Sequence, residues 1–125
     1  MKEHGKILVV DDDQKSRNIL ERLLAPTDYE VEIVKSGEEA VKRLKRSEFN
    51  LVLTDLDMPG MDGLELLSYV KSRYPDVPVI MVSGVATEES RNEALEIGAV
   101  GLLSKPYTRD QLLVIISESL AKNKK

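Results

Sequence analysis

The chain is 125 residues long, 42% hydrophobic and 32% charged, with a formal net charge of −4 and no cysteine. That is enough chain for one cored domain, too little for two, and too apolar for disorder. Disulfides and thiolate metal sites are excluded, which fits a reducing, cytoplasmic setting; the acidic balance argues against direct nucleic-acid binding, and no apolar run approaches the roughly 20 residues that span a membrane.

The polar start, Met1 to Lys6, does not read as a signal peptide, and His4 within it reads as an end residue rather than a ligand. Beyond it, short runs of Val, Ile and Leu alternate with longer amphipathic stretches. A first strand is expected over 6–10, followed by Asp11-Asp12-Asp13 and a helix over 14–25 that Pro26 stops. Ile19, Leu20, Leu23 and Leu24 recur at helical spacing and should face the sheet. The second strand, 30–34, alternates in Tyr29-Glu30-Val31-Glu32-Ile33, the pattern of an edge strand with one wet face. Ser36 with Glu39 opens a helix over 37–46 as a capping box. The third strand, 50–54, runs to Asp55 and through Leu56-Asp57-Met58-Pro59-Gly60-Met61-Asp62-Gly63 into a helix over 63–74, with Asp62 and Glu65 as a second capping box. The fourth, 78–82, closes on Ser83-Gly84. Thr87 with Glu88 and Glu89 opens a helix over 87–97, acids suiting the positive end of its dipole, and Gly98 ends it. The fifth strand, 101–104, leads to Lys105-Pro106. Thr108 and Gln111 then open a helix over 108–122, and the basic close, Ala121 to Lys125, reads as a frayed end.

Five such alternations predict an α/β fold, a parallel sheet with helices on both faces. The runs 7–10, 51–53 and 79–82 are apolar throughout, as central strands covered on both sides should be. Right-handed crossovers leave few strand orders, of which 2-1-3-4-5 is one of the two common ones. In such a sheet ligands bind at the carboxyl ends of the strands, where four stations would meet.

Each station carries usable chemistry. Asp11 and Asp12 are adjacent carboxylates whose repulsion a cation relieves, and Mg²⁺ favours carboxylates plus waters. Asp13 is the one expected only to cap the next helix. Asp55 can act as a nucleophile toward phosphorus, and the turn shaped by Pro59, Gly60 and Gly63 would bring backbone carbonyls toward a metal. Met58 and Met61 flank that turn and are expected to cover the site. Ser83 can donate to a phosphoryl oxygen, with room left by Gly84. Lys105 can pair with the nucleophile at rest and with phosphoryl oxygens afterward. The bond to Pro106 is a cis-peptide candidate. Each station alone is also an ordinary turn; the four in series carry the weight.

Together ILVVDDD, LVLTDLDMPGMDGLEL, VIMVSG and GLLSKPY resemble the response-regulator receiver domain, the CheY-like phosphoacceptor of bacterial two-component systems. The resemblance runs over about residues 5–122, leaving 1–4 and 123–125 as tails. It implies a flavodoxin-like (CheY-like) five-stranded parallel sheet in 2-1-3-4-5 order. It makes Asp55 the phosphorylation site, fed by a sensor histidine kinase or phosphotransfer protein. Mg²⁺, with Mn²⁺ as a substitute, would be bound directly by Asp12 and Asp55, through water by Asp11, and by the backbone carbonyl of Asp57. Ser83, Gly84 and Lys105 would bind the phosphoryl group. The chain would be a signalling phosphoacceptor rather than an enzyme with turnover. Phosphorylation would bias the 83–90 loop, and a downstream effector domain or protein would read 87–97, 101–104 and 108–122. A phosphorylation-dependent homodimer is among the assemblies the resemblance allows. The pattern departs from the family at Leu102, a switch position that often holds an aromatic. Tyr107 matches a different aromatic position and does not replace it. Phosphoryl lifetime would depend on Asp57, Gly84 and Val85. The chain stops soon after its fifth helix, so no effector domain is expected within it.

Two other readings compete. A haloacid-dehalogenase-like phosphatase also uses a strand-end Asp-x-Asp, which Asp55-Leu56-Asp57 fits, but it places the nucleophile near the start, and this chain has no room for a cap. An inert receiver-like interaction module would retain the acids only as structure. No G-x-G-x-x-G or P-loop string supports a nucleotide-binding alternative.

Overall fold

The structure, a computed structural model, is described over residues 5–84 and 87–122. His4, Val85 and the tails 1–4 and 123–125 lie outside the described residues. Strands β1 (Lys6–Val10), β2 (Glu30–Val34), β3 (Leu51–Asp55), β4 (Val79–Ser83) and β5 (Gly101–Ser104) alternate with helices α1 (Gln14–Leu24), α2 (Gly37–Arg46), α3 (Gly63–Arg73), α4 (Glu88–Ile97) and α5 (Arg109–Lys122). All four strand pairings are parallel and the order is β2-β1-β3-β4-β5. The 2-1-3-4-5 order expected of a flavodoxin-like fold is thus present, with the alternating strand β2 at an edge.

Period-2 alternation sends each strand's side chains to two cores. On one face Leu8, Val10, Val52, Val79 and Met81 pack against Ala40 and Leu44 of α2, Leu66, Leu67 and Val70 of α3 and Ala94 of α4. On the other, Ile7, Val9, Leu51, Leu53, Ile80 and Val82 pack against Leu20 and Leu24 of α1 and Leu112 and Ile116 of α5. Each such fully buried side chain contributes about 1.5–3 kcal/mol of transfer free energy.

The caps define the helix starts. Asp13 accepts from Ser16 N, as expected of a cap. Asp62 and Glu65 form the reciprocal box, and Thr108 and Gln111 do the same. Each helix that was expected to include its capping residue begins one residue later, because a cap keeps extended dihedrals. At α2 the box is offset: Ser36 caps Glu39 N, but the Glu39 carboxylate accepts from Lys35 N, whose residue lies past the β1–β2 ladder. Thr87 forms a box with Ser90, a device beyond the expected acid–dipole match. Gly98, at φ +131°, occupies the C-cap of α4 with a dihedral that side chains resist.

Two further expectations need correction. Ile19 is 51% exposed rather than facing the sheet; the buried stripe of α1 runs through Leu20 and Leu24, about 100° around the helix from Ile19. Strands β3 and β4 begin and end one residue later than expected, because Asp55 and Ser83 still pair in the ladder, with Val82 and Ser104 respectively. Met58 is buried in the core under α2 and α3, with Met61 packed against it.

The start of α3 lies flush on the end of β3. Gly63 N donates to Leu56 O at 2.9 Å. A Cβ at Gly63 would strike the Asp55 carbonyl oxygen and come within 2.8 Å of Leu56 Cα, both backbone and unable to yield. At Gly84 the nearest atom to such a Cβ is Lys105 Cβ at 3.8 Å, an ordinary contact. Gly63→Ala is therefore expected to lose about 1–3 kcal/mol, the usual scale of overpacking, while Gly84→Ala changes stability little. Urea denaturation of the two variants checks the contrast.

Candidate functional site: an acidic pocket at the carboxyl ends of the strands

Adjacent parallel strands end together, so β1, β3 and β5 bring their final residues to one rim. Asp11 follows β1 and is 2% exposed; Asp55 closes β3 and is 6% exposed; Asp12 is open to solvent. Carboxylate oxygens of Asp11, Asp12 and Asp55 all lie within 4.8 Å of one another. Asp13, turned to cap α1, stands outside this group. Lys105, just past β5, reaches back to place Nζ 3.1 Å from Asp55 Oδ1 and 3.6 Å from Asp11 Oδ2. Its backbone N–H donates to Ser83 O at 2.9 Å, so the Ser83 and Lys105 segments are tied where β4 and β5 end. The Lys105–Pro106 peptide is cis. Asp57 is exposed in the β3–α3 turn, Gly84 is exposed beyond β4, and Leu102 is half-buried on β5.

The backbone holds the carboxylates in place. Asp11 N donates to Val34 O at 3.1 Å, Asp13 N donates to Asp11 Oδ1 at 2.9 Å, and Leu56 N donates to Val82 O at 2.9 Å. Two further contacts had no sequence signal. Arg17 donates to the Asp11 carbonyl at 2.9 Å, and Lys105 Nζ donates to Ser16 Oγ at 3.4 Å. Both come from the first turns of α1, which the cap at Asp13 folds back over the site; nothing in the order of residues 14–17 marks that return.

The electrostatics follow from this crowding. Burial is the largest influence on Asp55, and the hydrogen bond and charge of Asp11 add to it. Lys105 opposes both but does not cancel them, so the Asp55 carboxyl is pushed up to about 7. Partial burial would lower the Lys105 ammonium, but the hydrogen bond and charge of Asp55, and then the charge of Asp11, raise it above the usual lysine value. Burial also raises the Tyr107 phenol beside it. One lysine thus leaves the acidic group under-compensated. Three hard oxygen donors so close, buried on one side and open at Asp12, suit a small divalent cation that retains waters.

An open parallel α/β sheet thus carries at its carboxyl rim a cluster of carboxylates that could hold a metal ion, with one lysine beside it. A model of the response regulator receiver domain matches residues 7–117, and the chain belongs to that family, the receiver domains of two-component signalling. It is 38% identical to the transcriptional regulatory protein ZraR of Klebsiella oxytoca over 95% of this chain and 27% of that protein. It is 37% identical to the response regulator protein FleR of Pseudomonas aeruginosa over 90% of this chain and 24% of that protein. The chain therefore spans about a quarter of the length of these curated relatives. Among solved structures, a CheY-like response regulator receiver domain protein from Methanospirillum hungatei JF-1 superposes with a TM-score of 0.90 at 35% identity, covering 94% of each chain. The signal receiver domain of an HD domain-containing protein from Pseudomonas fluorescens Pf-5 gives 0.92 at 27% identity, over 97% of this chain and 98% of that one. Among the described residues no helix is long and apolar enough to cross a membrane.

The raised Asp55 carboxyl has a pH consequence. Its folded value lies above the unfolded one, so between about 4 and about 7 the folded state binds more protons, and stability falls as pH rises through that window. In metal-free protein, Asp55→Asn removes this contribution. The variant is expected to gain stability relative to wild type as pH is raised toward 8, with the difference closing as pH falls to about 4. Parallel denaturation series across that range check it; a pH-independent difference would count against the raised carboxyl.

Proposed function

We propose that the chain accepts a phosphoryl group on Asp55 from a phosphohistidine of a sensor histidine kinase or phosphotransfer protein, with Mg²⁺ in the acidic pocket. The observation that carries this reading is the convergence of Asp11, Asp12 and Asp55, with Lys105 Nζ 3.1 Å from the Asp55 carboxylate. Asp55 Oδ attacks phosphorus in line; the O–P bond forms as the P–N bond breaks, and the electron pair leaves with the imidazole. Phosphoryl transfer rests mainly on positioning and charge stabilisation, which a small rigid pocket provides. Lys105 pairs with Asp55 at rest and collects phosphoryl oxygen charge as the bond forms. Ser83, tied to Lys105 through the backbone, is assigned a hydroxyl donation to the same group, with Gly84 leaving space. Asp12 and Asp55 would hold Mg²⁺ directly, Asp11 through water and Asp57 by its backbone carbonyl. When bound there, the cation neutralises charge on the transferring phosphoryl group.

The phosphorylated Asp55 side chain carries about −1.5 to −2 charge in place of the single charge of a carboxylate. Drawing Ser83 and Lys105 onto it biases the segment from Ser83 toward α4. The surface assigned to the output is α4, β5 and α5, where Leu95 and Val114 stand 49% and 52% exposed. Leu102 offers no aromatic ring to rotate, so the switch is assigned to Ser83 and the turn that follows it. The relatives are named as a transcriptional regulatory protein and a response regulator protein, and a downstream effector in a cytoplasmic pathway is the matching output. The receiver unit is assigned to residues 5–122.

Incubation with acetyl phosphate and Mg²⁺ is expected to add one phosphoryl mass to the wild-type protein. Asp55→Asn should abolish the addition, and either chelation or Asp12→Asn should suppress it strongly. Intact-protein mass spectrometry reads the result, and an Asp55→Asn protein that gains the same mass would refute the nucleophile.

A further inference from the structure

The three elements carrying the acidic pocket are braced from a fourth, the segment 34–38 that runs from the last residue of β2 into the first turn of α2. At its start, Val34 O accepts the Asp11 N–H at 3.1 Å. At its end, Glu38 Oε2 accepts the Met61 N–H at 3.1 Å, in the turn between β3 and α3. That turn is pinned at its base by Gly63 N to Leu56 O, and at its exit by the Asp62–Glu65 box. Both pins are internal to the β3–α3 unit. Glu38 supplies a hold from outside it. Packing makes the contact close: a Cβ at Gly37 would lie 2.9 Å from Met61 Cγ and 3.0 Å from Met61 O. Gly60 sits at φ +72°, and a Cβ there would lie 2.9 Å from Glu38 Oε2. Glycine at both places lets α2 and the turn meet with a carboxylate between them.

We infer that Glu38 is a positioning residue for the cation site: through the Met61 amide it fixes the β3–α3 turn, and so the Asp57 carbonyl, relative to the Asp11–Asp12 pair that Val34 holds. The inference rests on the proposed Mg²⁺ site. It follows from connectivity. Asp11 and Asp12 hang on β1, and Asp57 hangs on a turn whose outer part has no strand to pair with. Five residues link a hydrogen bond on one to a hydrogen bond on the other. An octahedral ion held at about 2.0–2.1 Å tolerates little variation in the spacing of its oxygens, so a turn released at Met61 binds it less well.

Glu38 also lies in the first turn of α2, where its charge favours the helix dipole. The two roles separate by substitution. Glu38→Gln loses the charge but keeps a carbonyl oxygen to accept from Met61 N; Glu38→Ala loses both. The test is Mg²⁺ titration by calorimetry of wild type, both variants and Asp12→Asn, with amide hydrogen exchange at Met61 measured without metal. Glu38→Ala is expected to bind Mg²⁺ about fivefold more weakly, the scale of one hydrogen bond, and to lose protection at Met61. Glu38→Gln should restore both to near wild type, even though it lacks the charge at the start of α2. Equal Mg²⁺ affinity in wild type and Glu38→Ala would overturn the brace while leaving the site intact. If wild type itself takes up no Mg²⁺, or Asp12→Asn takes up as much, the cation site fails and the brace with it.

Discussion

The structure is organised around a repulsion. Parallel strands that end together carry Asp11, Asp12 and Asp55 to within 4.8 Å of one another, and carboxylates so placed resist staying ionised together. Lys105 answers part of that cost by contacting Asp55 and Asp11 at once. Burial, and after it the influence of Asp11 that Lys105 does not cancel, leave the Asp55 carboxyl pushed up to about 7. A pocket left short of positive charge is a receptive place for a cation, and under the proposed function a lysine already in contact with Asp55 is placed to follow charge onto an incoming phosphoryl group. The same charge imbalance thus links stability to the proposed metal and phosphoryl chemistry.

That arrangement needs a stiff support, which the two cores supply. Buried side chains of β1, β3 and β4 pack on both sheet faces, so the strand ends carrying the acids cannot drift independently. The attachments above the sheet are lighter and mostly single hydrogen bonds: Val34 to Asp11, Glu38 to Met61, Arg17 to the Asp11 carbonyl. Fixed strand ends under lightly pinned connections suit the proposed role, which needs a held geometry that still answers a local change of charge.

Much of this was legible from the order of residues. Asp11, Asp12, Asp55 and Lys105 were identifiable because each directly follows or closes an apolar run, and a parallel sheet brings such positions to one edge. The caps at Asp13, Asp62 and Thr108 were legible for a similar reason: they are local, set by residues three apart. What misled was tertiary. Ile19 belongs to an apolar set at helical spacing, but only the docking angle of α1 decides that Leu20 and Leu24 face inward while it faces out. Asp55 and Ser83 are polar and looked like loop, although their backbones still pair with neighbouring strands.

Taken alone, then, the amino-acid order determined the alternation of elements, the family and the chemical kinds of group at each strand end, because hydrophobic periodicity and capping act over a few residues. Only the folded chain decided which groups meet: that one ammonium spans two carboxylates, that α1 returns Ser16 and Arg17 over the site, and that Glu38 reaches a turn 23 residues away. Those are contacts between elements, set by how helices settle on a twisted sheet, and no local pattern encodes that packing.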